Sequence, residues 1–549
     1  MDDHGTGTLT RGELVAHLDD LPVGTARMAK VDGRRICVVR TESGVHAIDN
    51  GCPHEGYGLT QGALDGDVLT CEWHNWKFRV TDGHCLLGEE DVPTHDVAVA
   101  PDGGVRVTVR RPDPATRRPA LIDSLRRGIR KDYRGQIARD VVRLLHASSN
   151  PGELVWEAVA HGAPRAEFGW GHSVASATDC LAMVHLYEGD QRALPIVQGI
   201  VGIAEQERDR PAQRLPSPAP SGEVGPGAFR RAVEGQDVEL AQSQVLGAIE
   251  RGDGPAELRP WFTAVAGDHH LSYGHGAIYG QKAFELLEMI GWERAPTVLP
   301  HLVPTIVHGT REDRLPYMRP FMRALDGIDL GELAATEPDP TWRDDGTLAR
   351  VMLGSDRNAV VPAAAEALRS GAGADGLLDV VIEVVSERML RYDTAGEHDF
   401  HDDFGWLDIT HGITYGNAAR WHHRVSADEC PVEALRLALF TVFQAQWTGR
   451  HEWHTAVGPR AEIEPMDGDV VAYGEALQRD SLLDGTTAFI VHAHAVKTSR
   501  AAAVEAARSG STLPLDATAR FMAAPKLERF VAATVTRSID FLNGAVQRD

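Results

Sequence analysis

Four residues with metal-binding side chains stand in two short segments near the N-terminus. Cys52-Pro-His54 is followed by Cys71-Glu-Trp-His74, so each segment offers one thiol and one imidazole. Two thiolates on one iron and two imidazoles on the other are the ligands of one class of binuclear iron–sulfur cluster. The alternative is zinc held by mixed ligands, but zinc loops favour C-x-x-C spacing. The spacing therefore predicts a one-electron [2Fe-2S] centre on Cys52, His54, Cys71 and His74.

The residues around these ligands resemble the Rieske ferredoxin and ring-hydroxylating oxygenase family over about the first 110 residues. The matching positions are Cys52-Pro-His-Glu-Gly56, Leu59, Gly62, Leu69, Cys71, Trp73-His74, Trp76 and Phe78. One departure is Asn75, where the family usually has glycine after the second histidine. The respiratory-complex branch carries an additional cysteine in each loop, and none follows His54 or His74. The resemblance implies a Rieske cluster of the ferredoxin and oxygenase branch.

Composition limits the class of protein. A chain of 549 residues with 43% hydrophobic content suggests two or three domains. The formal charge of -24, with no run of Lys and Arg to offset it, disfavours nucleic acid and anionic membranes as partners. No signal-like apolar stretch follows Met1 and no run of about 18 apolar residues occurs, so we expect a cytosolic protein. The other cysteines (Cys37, Cys85, Cys180 and Cys430) are scattered, as expected for small buried side chains in a reducing compartment.

The hydrophobic pattern changes along the chain. Short strand-like segments with Gly and Asp turns occupy 35–40, 45–48, 68–70 and 105–109. Helical spacing dominates later, as at 362–369, 377–390 and 432–446. We therefore expect a multi-domain chain, in which a small antiparallel all-β domain is followed by a large all-α domain. The predicted bounds are 1–110 for the β domain, 111–119 for a linker and 120–549 for the helical domain, with a Pro-rich loop at 211–227.

Four histidines of the helical part share a context of small residues. They occur in Gly171-His172, Gly274-His275-Gly, Thr410-His411-Gly and Ala493-His494-Ala. Four bundled helices can each present one imidazole to a common point, where metal sites are often built. A lone helical histidine is more often a core residue, and His146, His308, His401 and His492 are alternative ligands. Imidazole suits iron, and zinc could not use the electron that a Rieske cluster supplies. The pattern therefore favours a second iron site.

Longer segments around these histidines resemble the questin oxidase-like family, in patches between about 140 and 510. They are Tyr273-Gly-His275-Gly-Ala-Ile-Tyr279, Val307-His-Gly-Thr-Arg-Glu-Asp313, Phe404-Gly-Trp-Leu-Asp-Ile-Thr-His411-Gly412 and His492-Ala-His494-Ala-Val-Lys497. That family includes fungal oxygenases that open or oxidise rings of anthraquinone-type polyketides, and one such enzyme type binds mononuclear iron through four histidines and a carboxylated lysine. The resemblance implies His172, His275, His411 and His494 as ligands, with Lys497 as the lysine. His492 is an alternative to His172 or His494.

Lys497 has an independent argument, because it follows His494 by three residues and so lies on nearly the same helix face. Burial would lower its pKa, and the neutral amine can add carbon dioxide to give a carbamate that binds iron. The alternative is an exposed lysine whose stem follows the helix. Asp402, Asp403 and Asp408 are candidates for orienting imidazole N–H groups. Catalytic roles are thus assigned to Lys497, Asp402 and Asp408.

The electron source is expected to be a separate protein. The G-x-G-x-x-G segment at 371–376 follows a helical run and lacks the strand–turn–helix context of a dinucleotide site. A separate NAD(P)H-dependent reductase or ferredoxin is therefore the expected partner. The sequence predicts a Rieske-linked non-haem iron oxygenase of secondary metabolism that uses O2 to oxidise or cleave a small aromatic, polyketide- or quinone-like substrate. The alternatives are a di-iron or haem oxidase with a Rieske donor, and a non-enzymatic electron carrier or redox sensor with a helical docking domain.

Overall fold

The computed structural model describes residues 12–544, apart from 89, 112–113, 399–403, 450–458, 464–468, 487 and 529–530. The chain divides into two compact units, Met1–Ser149 and Asn150–Asp549. Antiparallel strands dominate the first unit and helices the second, so the predicted fold class is confirmed. Within the described residues, no helix combines the length and apolar character needed to cross a bilayer.

The first unit contains two antiparallel sheets. Its described strands are β1 (Glu13–His17), β2 (Thr25–Val31), β3 (Arg34–Thr41), β4 (Gly44–Asp49), β5 (Ala63–Asp65), β6 (Val68–Thr70), β7 (Lys77–Arg79), β8 (Cys85–Leu87), β9 (Thr94–Val99) and β10 (Gly104–Thr108). The larger sheet has the order β1-β10-β9-β4-β3-β2, and the smaller one β5-β6-β7-β8. Asp32 and Gly33 join β2 to β3 with φ of 55° and 82°, the left-handed pair that a two-residue hairpin requires.

Strand β3 separates two apolar cores. Ile36 and Val38 face one core, whereas Cys37 and Val39 face the other, because side chains alternate along a strand. The second core also holds Cys52. The first predicted ligand loop is therefore anchored in packed apolar side chains.

Two α-helices complete the described part of the first unit, α1 (Pro114–Lys131) and α2 (Arg134–His146). The structure thus differs from the expected bounds, because a helix begins within 111–119 and both helices group with the β sheets. Proline is favourable in the first helical turn, where its missing N–H has no intrahelical partner. Leu121, Leu125 and Ile129, spaced by four residues, are buried and give α1 its apolar face.

Helices are the main secondary structure in the described part of the second unit. Its helices are α3 (Pro151–Gly162), α4 (His172–Ala182), α5 (Ala193–Gln206), α6 (Pro226–Glu234), α7 (Val238–Arg251), α8 (Pro255–Asp268), α9 (His275–Ile290), α10 (Ala295–Val307), α11 (Arg319–Asp326), α12 (Leu330–Ala334), α13 (Thr347–Leu353), α14 (Val360–Arg369), α15 (Gly373–Arg391), α16 (Trp406–Ser426), α17 (Pro431–Trp447), α18 (Val470–Ser481), α19 (Phe489–Ser509), α20 (Leu513–Ala523) and α21 (Val531–Leu542). The three segments expected to be helical lie in α14, α15 and α17. The G-x-G-x-x-G segment covers the end of the connection between α14 and α15 and the first turn of α15, as expected for a helix–helix connection.

Four of these helices form a closed ring in which each packs against two others. The contacts run from α4 to α9, α9 to α16, α16 to α19 and α19 back to α4. A small residue permits one of the closest approaches. Gly274 has a φ of 91°, and a Cβ atom there would lie 2.5 Å from Cγ of Tyr415 on α16. Only glycine suits both the backbone and the space at the start of α9.

Candidate metal centres

The two loops that carry the predicted cluster ligands are built alike. The Gly56 N–H donates to the Cys52 carbonyl at 2.7 Å, and the Asn75 N–H donates to the Cys71 carbonyl at 2.9 Å. Gly56 and Asn75 occupy equivalent left-handed positions, with φ of 79° and 58°. Asparagine is among the few residues besides glycine that adopt this conformation readily. Asn75 in place of the usual glycine therefore preserves the backbone conformation of the loop.

The predicted cluster ligands converge. The rings of His54 and His74 are perpendicular with centroids 4.4 Å apart, and one nitrogen of each lies within 4.8 Å of the Glu55 carboxylate and of the other. His54 Nδ1 is buried and has no hydrogen-bond partner among the described residues. Burial, with Cys71 alongside, raises the pKa of Cys52 to about 12, so a cation is needed to hold its thiolate. This donor set fits the predicted iron–sulfur cluster.

The structure also brings His172, His275, His411 and His494 together, from four different helices. His172 begins α4 and His275 begins α9, whereas His411 and His494 lie in the second turns of α16 and α19. Neighbouring ring centroids are 4.6 to 5.0 Å apart. His411 Nε2 lies 3.1 Å from His275 Nε2 and 3.4 Å from His494 Nε2. The nitrogens form a chain of contacts with His411 at its centre.

Main-chain carbonyls orient three of these rings. Each bond joins Nδ1 to a carbonyl three or four residues earlier, which assigns the proton to Nδ1. The bonds are His275 to Ser272 at 2.5 Å, His411 to Leu407 at 2.5 Å and His494 to Ile490 at 2.7 Å. Every Nε2 is then an acceptor, and the three lone pairs face the same small region.

The structure gives Asp408 a different role from the expected one of orienting an imidazole. The Asp408 carboxylate accepts from the Gly405 N–H at 2.9 Å and closes the first turn of α16, while Leu407 supplies the carbonyl for His411. Asp402 and Asp403 lie outside the described residues. The sequence signal was misleading because acidic residues are also favoured in the first turn of a helix.

The alternative histidines are not part of the described cluster of rings. His146 ends α2 in the first unit, and His308 is exposed and packs its ring against Phe168. His492 lies two residues before His494, on another face of α19. His401 lies outside the described residues. The geometry therefore favours the four histidines that share the small-residue context.

Lys497 is fully buried beside the histidines, so the exposed-lysine alternative is wrong. Its side chain is 1% exposed. Its Nζ lies 2.6 Å from His172 Nδ1 and 5.9 Å from the Tyr279 ring centre. Burial lowers the pKa of Lys497 to about 7, although the charge of Asp179 opposes this shift. The amine is therefore much easier to deprotonate than an ordinary lysine.

Burial also keeps the imidazoles neutral. It is the main cause that lowers the pKa of all four, and the charge of Lys497 lowers each one further. For His275 the pKa falls to about 4. Neutral imidazoles are the form that binds metals.

Sequence reasoning missed a set of buried polar residues deeper in the same ring of helices, here called the polar layer. Its bonds are Lys282 to Asp179 at 2.9 Å, Lys282 to Glu285 at 2.9 Å, Gln281 to Asn417 at 3.1 Å, Asn417 to Glu505 at 3.0 Å and Arg420 to Glu505 at 3.1 Å. These bonds link α4 to α9, α9 to α16 and α16 to α19. The polar layer therefore fixes the helices that carry the histidines relative to one another. The sequence did contain a signal for the polar layer. Asp179 follows His172, and Lys282 follows His275, by seven residues, which is about two helical turns and places each pair on one helix face.

Comparisons with known proteins match the N-terminal domain. The family described as Rieske [2Fe-2S] domain matches residues 13–100. A ferredoxin component of the naphthalene 1,2-dioxygenase/salicylate 5-hydroxylase systems of Ralstonia sp is 33% identical over 86 residues, 15% of this chain and 83% of that protein. Oxidoreductase NdmD of Pseudomonas putida is 36% identical over 89 residues, 16% of this chain and 14% of that protein. Cholesterol 7-desaturase nvd of Xenopus laevis is 40% identical over 74 residues, 13% of this chain and 16% of that protein.

The chain thus spans most of the Ralstonia ferredoxin but only a small part of the two longer relatives. The matched segment contains Cys52, His54, Cys71 and His74, the residues whose geometry fits a two-iron cluster. Through this N-terminal domain, the chain belongs to the Rieske [2Fe-2S] family.

Proposed function

We propose that this protein is a Rieske-linked non-haem iron oxygenase that uses O2 to oxidise or cleave a small aromatic, quinone-like substrate. The helical unit would hold one Fe(II) through His172, His275, His411 and His494, with Lys497 as a further ligand. The single observation that carries the proposal is the set of three Nε2 atoms that face one another in a buried region. The resemblance to questin oxidase-like sequences and the Rieske domain of the same chain support it.

The Nε2 arrangement calls for a cation. When Nδ1 carries the proton in His275, His411 and His494, two acceptors face each other at 3.1 Å and two at 3.4 Å. Acceptors cannot hydrogen-bond to one another, and a buried acceptor without a partner costs about 1–3 kcal/mol. An additional proton is disfavoured because burial holds the imidazole pKa values low. A divalent metal satisfies all three lone pairs at once.

Iron is the metal that suits a Rieske partner domain. Imidazole binds zinc, copper, nickel and iron, but the one-electron donor in the first unit is of no use to zinc, which has no redox chemistry. When bound, the iron would supply the site at which O2 is reduced with electrons from the Rieske cluster and the substrate. The residues around it exclude water, since Tyr279 and all four imidazoles are largely buried.

Lys497 would complete the ligand set as a carbamate. Its free ammonium would repel a cation, but its neutral nitrogen can attack carbon dioxide, form an N–C bond and release one proton. The product carries one negative charge on two oxygens, which offsets part of the charge of the iron. The lowered pKa of Lys497 favours this reaction, because only the neutral amine is nucleophilic.

The test is the iron and acid-labile sulfide content of protein purified without oxygen. A Rieske cluster alone gives about two irons and two sulfides per chain, and the proposal expects one further iron. The His411→Ala variant should lose only that iron and keep the Rieske spectrum, whereas Cys71→Ser should lose the spectrum and keep the helical circular dichroism. Two further irons would favour the di-iron alternative. Iron equal to sulfide, with no other metal, would contradict the oxygenase and favour the carrier or sensor.

A further inference from the structure

A strongly basic segment follows the Rieske sheets in this otherwise acidic protein. Residues 106–143 contain twelve Arg and Lys but four Asp, an excess of eight positive charges in a chain whose formal charge is -24. The charges are spaced along the end of β10, α1 and α2, so no continuous run reveals them. This spaced positive charge is not detected when only continuous runs of Lys and Arg are considered in the sequence.

Arg139 of α2 contacts both a buried carboxylate, Glu90, and the main chain of one cluster loop. Glu90, 6% exposed, accepts from Arg139 at 2.9 and 3.1 Å and also pairs with Arg143. Arg139 lies 3.4 Å from the carbonyl oxygen of His54, a cluster ligand. Asp140, fully buried, pairs with Arg143 at 3.1 Å. The basic helices are thus fixed beside the metal centre within one compact unit.

A cavity of about 760 Å³ opens between these helices and the loop of Cys52. Six arginines line it, namely Arg34, Arg110, Arg111, Arg117, Arg139 and Arg143, together with the segment from Gly51 to Pro53. Arg34, Arg110 and Arg111 pair with Asp49, Asp96 and Asp32, but the side chains of these arginines are 45%, 56% and 65% exposed. Exposed pairs contribute little stability, so carboxylates of another protein can replace their acidic partners.

The outer face of α1 carries further positive charge. Arg117, Arg127, Arg130 and Lys131 are exposed, and among the described residues none of them has a carboxylate within ion-pair distance. We define the arginine face as Arg110, Arg111, Arg117, Arg127, Arg130 and Lys131. Its charge is opposite in sign to that of the chain as a whole.

We propose that the arginine face docks the electron donor, an acidic ferredoxin that reduces the Rieske cluster by one electron. This inference rests on the proposed function only in requiring a separate donor. The reduced ferredoxin loses one electron and the cluster gains it, with no bond made or broken. The step is downhill, because plant-type ferredoxins have lower potentials than Rieske centres. Three residues of the arginine face, Arg110, Arg111 and Arg117, line the cavity beside the loop of Cys52. This position next to a cluster ligand favours an electron carrier over other anionic partners.

Opposite charges on two proteins speed their encounter, and salt weakens the effect. The test is stopped-flow reduction of the cluster in the full-length protein, with a reduced plant-type [2Fe-2S] ferredoxin as the probe. The second-order rate constant should fall about tenfold or more when ionic strength rises from about 20 to 300 mM. The Arg117→Glu/Arg127→Glu/Arg130→Glu variant should react about tenfold more slowly at low salt and lose most of the salt dependence.

The matched control changes the same charge elsewhere, in Arg214→Glu/Arg323→Glu/Arg424→Glu, whose arginines are exposed in the second unit. It should retain the wild-type rate, and both variants should keep the Rieske spectrum and midpoint potential. Equal slowing by the two variants, a rate insensitive to salt, or no reduction by the ferredoxin would each overturn the proposal. So would arginine-dependent binding to phosphatidylserine vesicles or poly(U) with unchanged ferredoxin kinetics. Cluster reduction is measurable without the second iron, so this result is independent of the oxygenase test.

Discussion

Replacement of His411 by leucine should change stability in opposite directions in the metal-free and iron-loaded proteins. His411 Nε2 is the central acceptor, with His275 and His494 on either side at 3.1 and 3.4 Å. A buried acceptor without a donor costs about 1–3 kcal/mol. Leucine removes that acceptor and both unfavourable contacts, which stabilises the metal-free protein. It also removes the hydrogen bond from Nδ1 to the Leu407 carbonyl, which costs about 1 kcal/mol of stability. The net expectation for the metal-free variant is about 0–2 kcal/mol of added stability.

With iron the sign should reverse. Loss of one ligand should weaken iron binding at least as much as loss of an outer hydrogen bond to a ligand, which costs 10- to 100-fold. A 100-fold loss corresponds to about 2.7 kcal/mol of ligand-linked stability. The assay is urea unfolding followed by circular dichroism at 222 nm, which reports the helical unit, with chelated and iron-loaded samples of each variant.

His301→Leu is the matched control. His301 Nδ1 bonds the Thr297 carbonyl at 2.7 Å, and its Nε2 is buried with no hydrogen-bond partner among the described residues. Its stability change should be the same with and without iron, because it lies on α10, outside the ring of four helices. If His411→Leu instead destabilises the metal-free protein as an ordinary core substitution does, the proton assignment is wrong and the argument for a cation fails.

Other substitutions probe the same unit. Lys497→Ala should lose the second iron while keeping the cluster, and added formate or acetate should restore iron; unchanged iron content would refute the carbamate. Because burial lowers the pKa of His275 from 6.5 to about 4, the unfolded chain binds more protons in that window. The contribution of His275 to the stability of the metal-free protein should therefore fall by on the order of 3 kcal/mol as pH falls from 6.5 to 4. His275→Leu should remove this share of the pH dependence in pH-dependent unfolding, while the share of the other three histidines remains. Glu505→Gln leaves Arg420, 1% exposed, with two partly exposed aspartates. It should cost about 3 kcal/mol in urea unfolding, and a loss below about 1 kcal/mol would mean that the aspartates suffice.

Local patterns in the sequence were enough to predict the fold class and the Rieske ligands. Cys52 and His54 lie in one loop and Cys71 and His74 in another, so each half of the site is a contiguous motif whose chemistry does not depend on distant contacts. The strand and helix segments were equally readable, because alternation and helical spacing report which face of an element is buried. The boundary after residue 110 was harder to predict, because α2 is joined to the β unit by ion pairs with Glu90 and α1 packs on α2, and no local pattern reveals either contact.

The sequence singled out His172, His275, His411, His494 and Lys497 as candidates, but it could not show that they meet. His172 and Lys497 are 325 residues apart in the chain, yet their nitrogens lie 2.6 Å apart. Asp408 was expected to orient an imidazole but caps the first turn of α16, because a local acid can serve a helix end as well as a ligand.

What the sequence by itself determined is the electron-transfer chemistry and the helical character of the larger unit. The tertiary structure alone decided which imidazoles lie together, that Lys497 is buried, that a polar layer links the four helices, and that Arg110, Arg111 and Arg117 line a cavity beside the cluster loop. The reason is physical. Ligand type and helix periodicity are properties of neighbouring residues, whereas burial, pKa and charge complementarity depend on how distant elements pack.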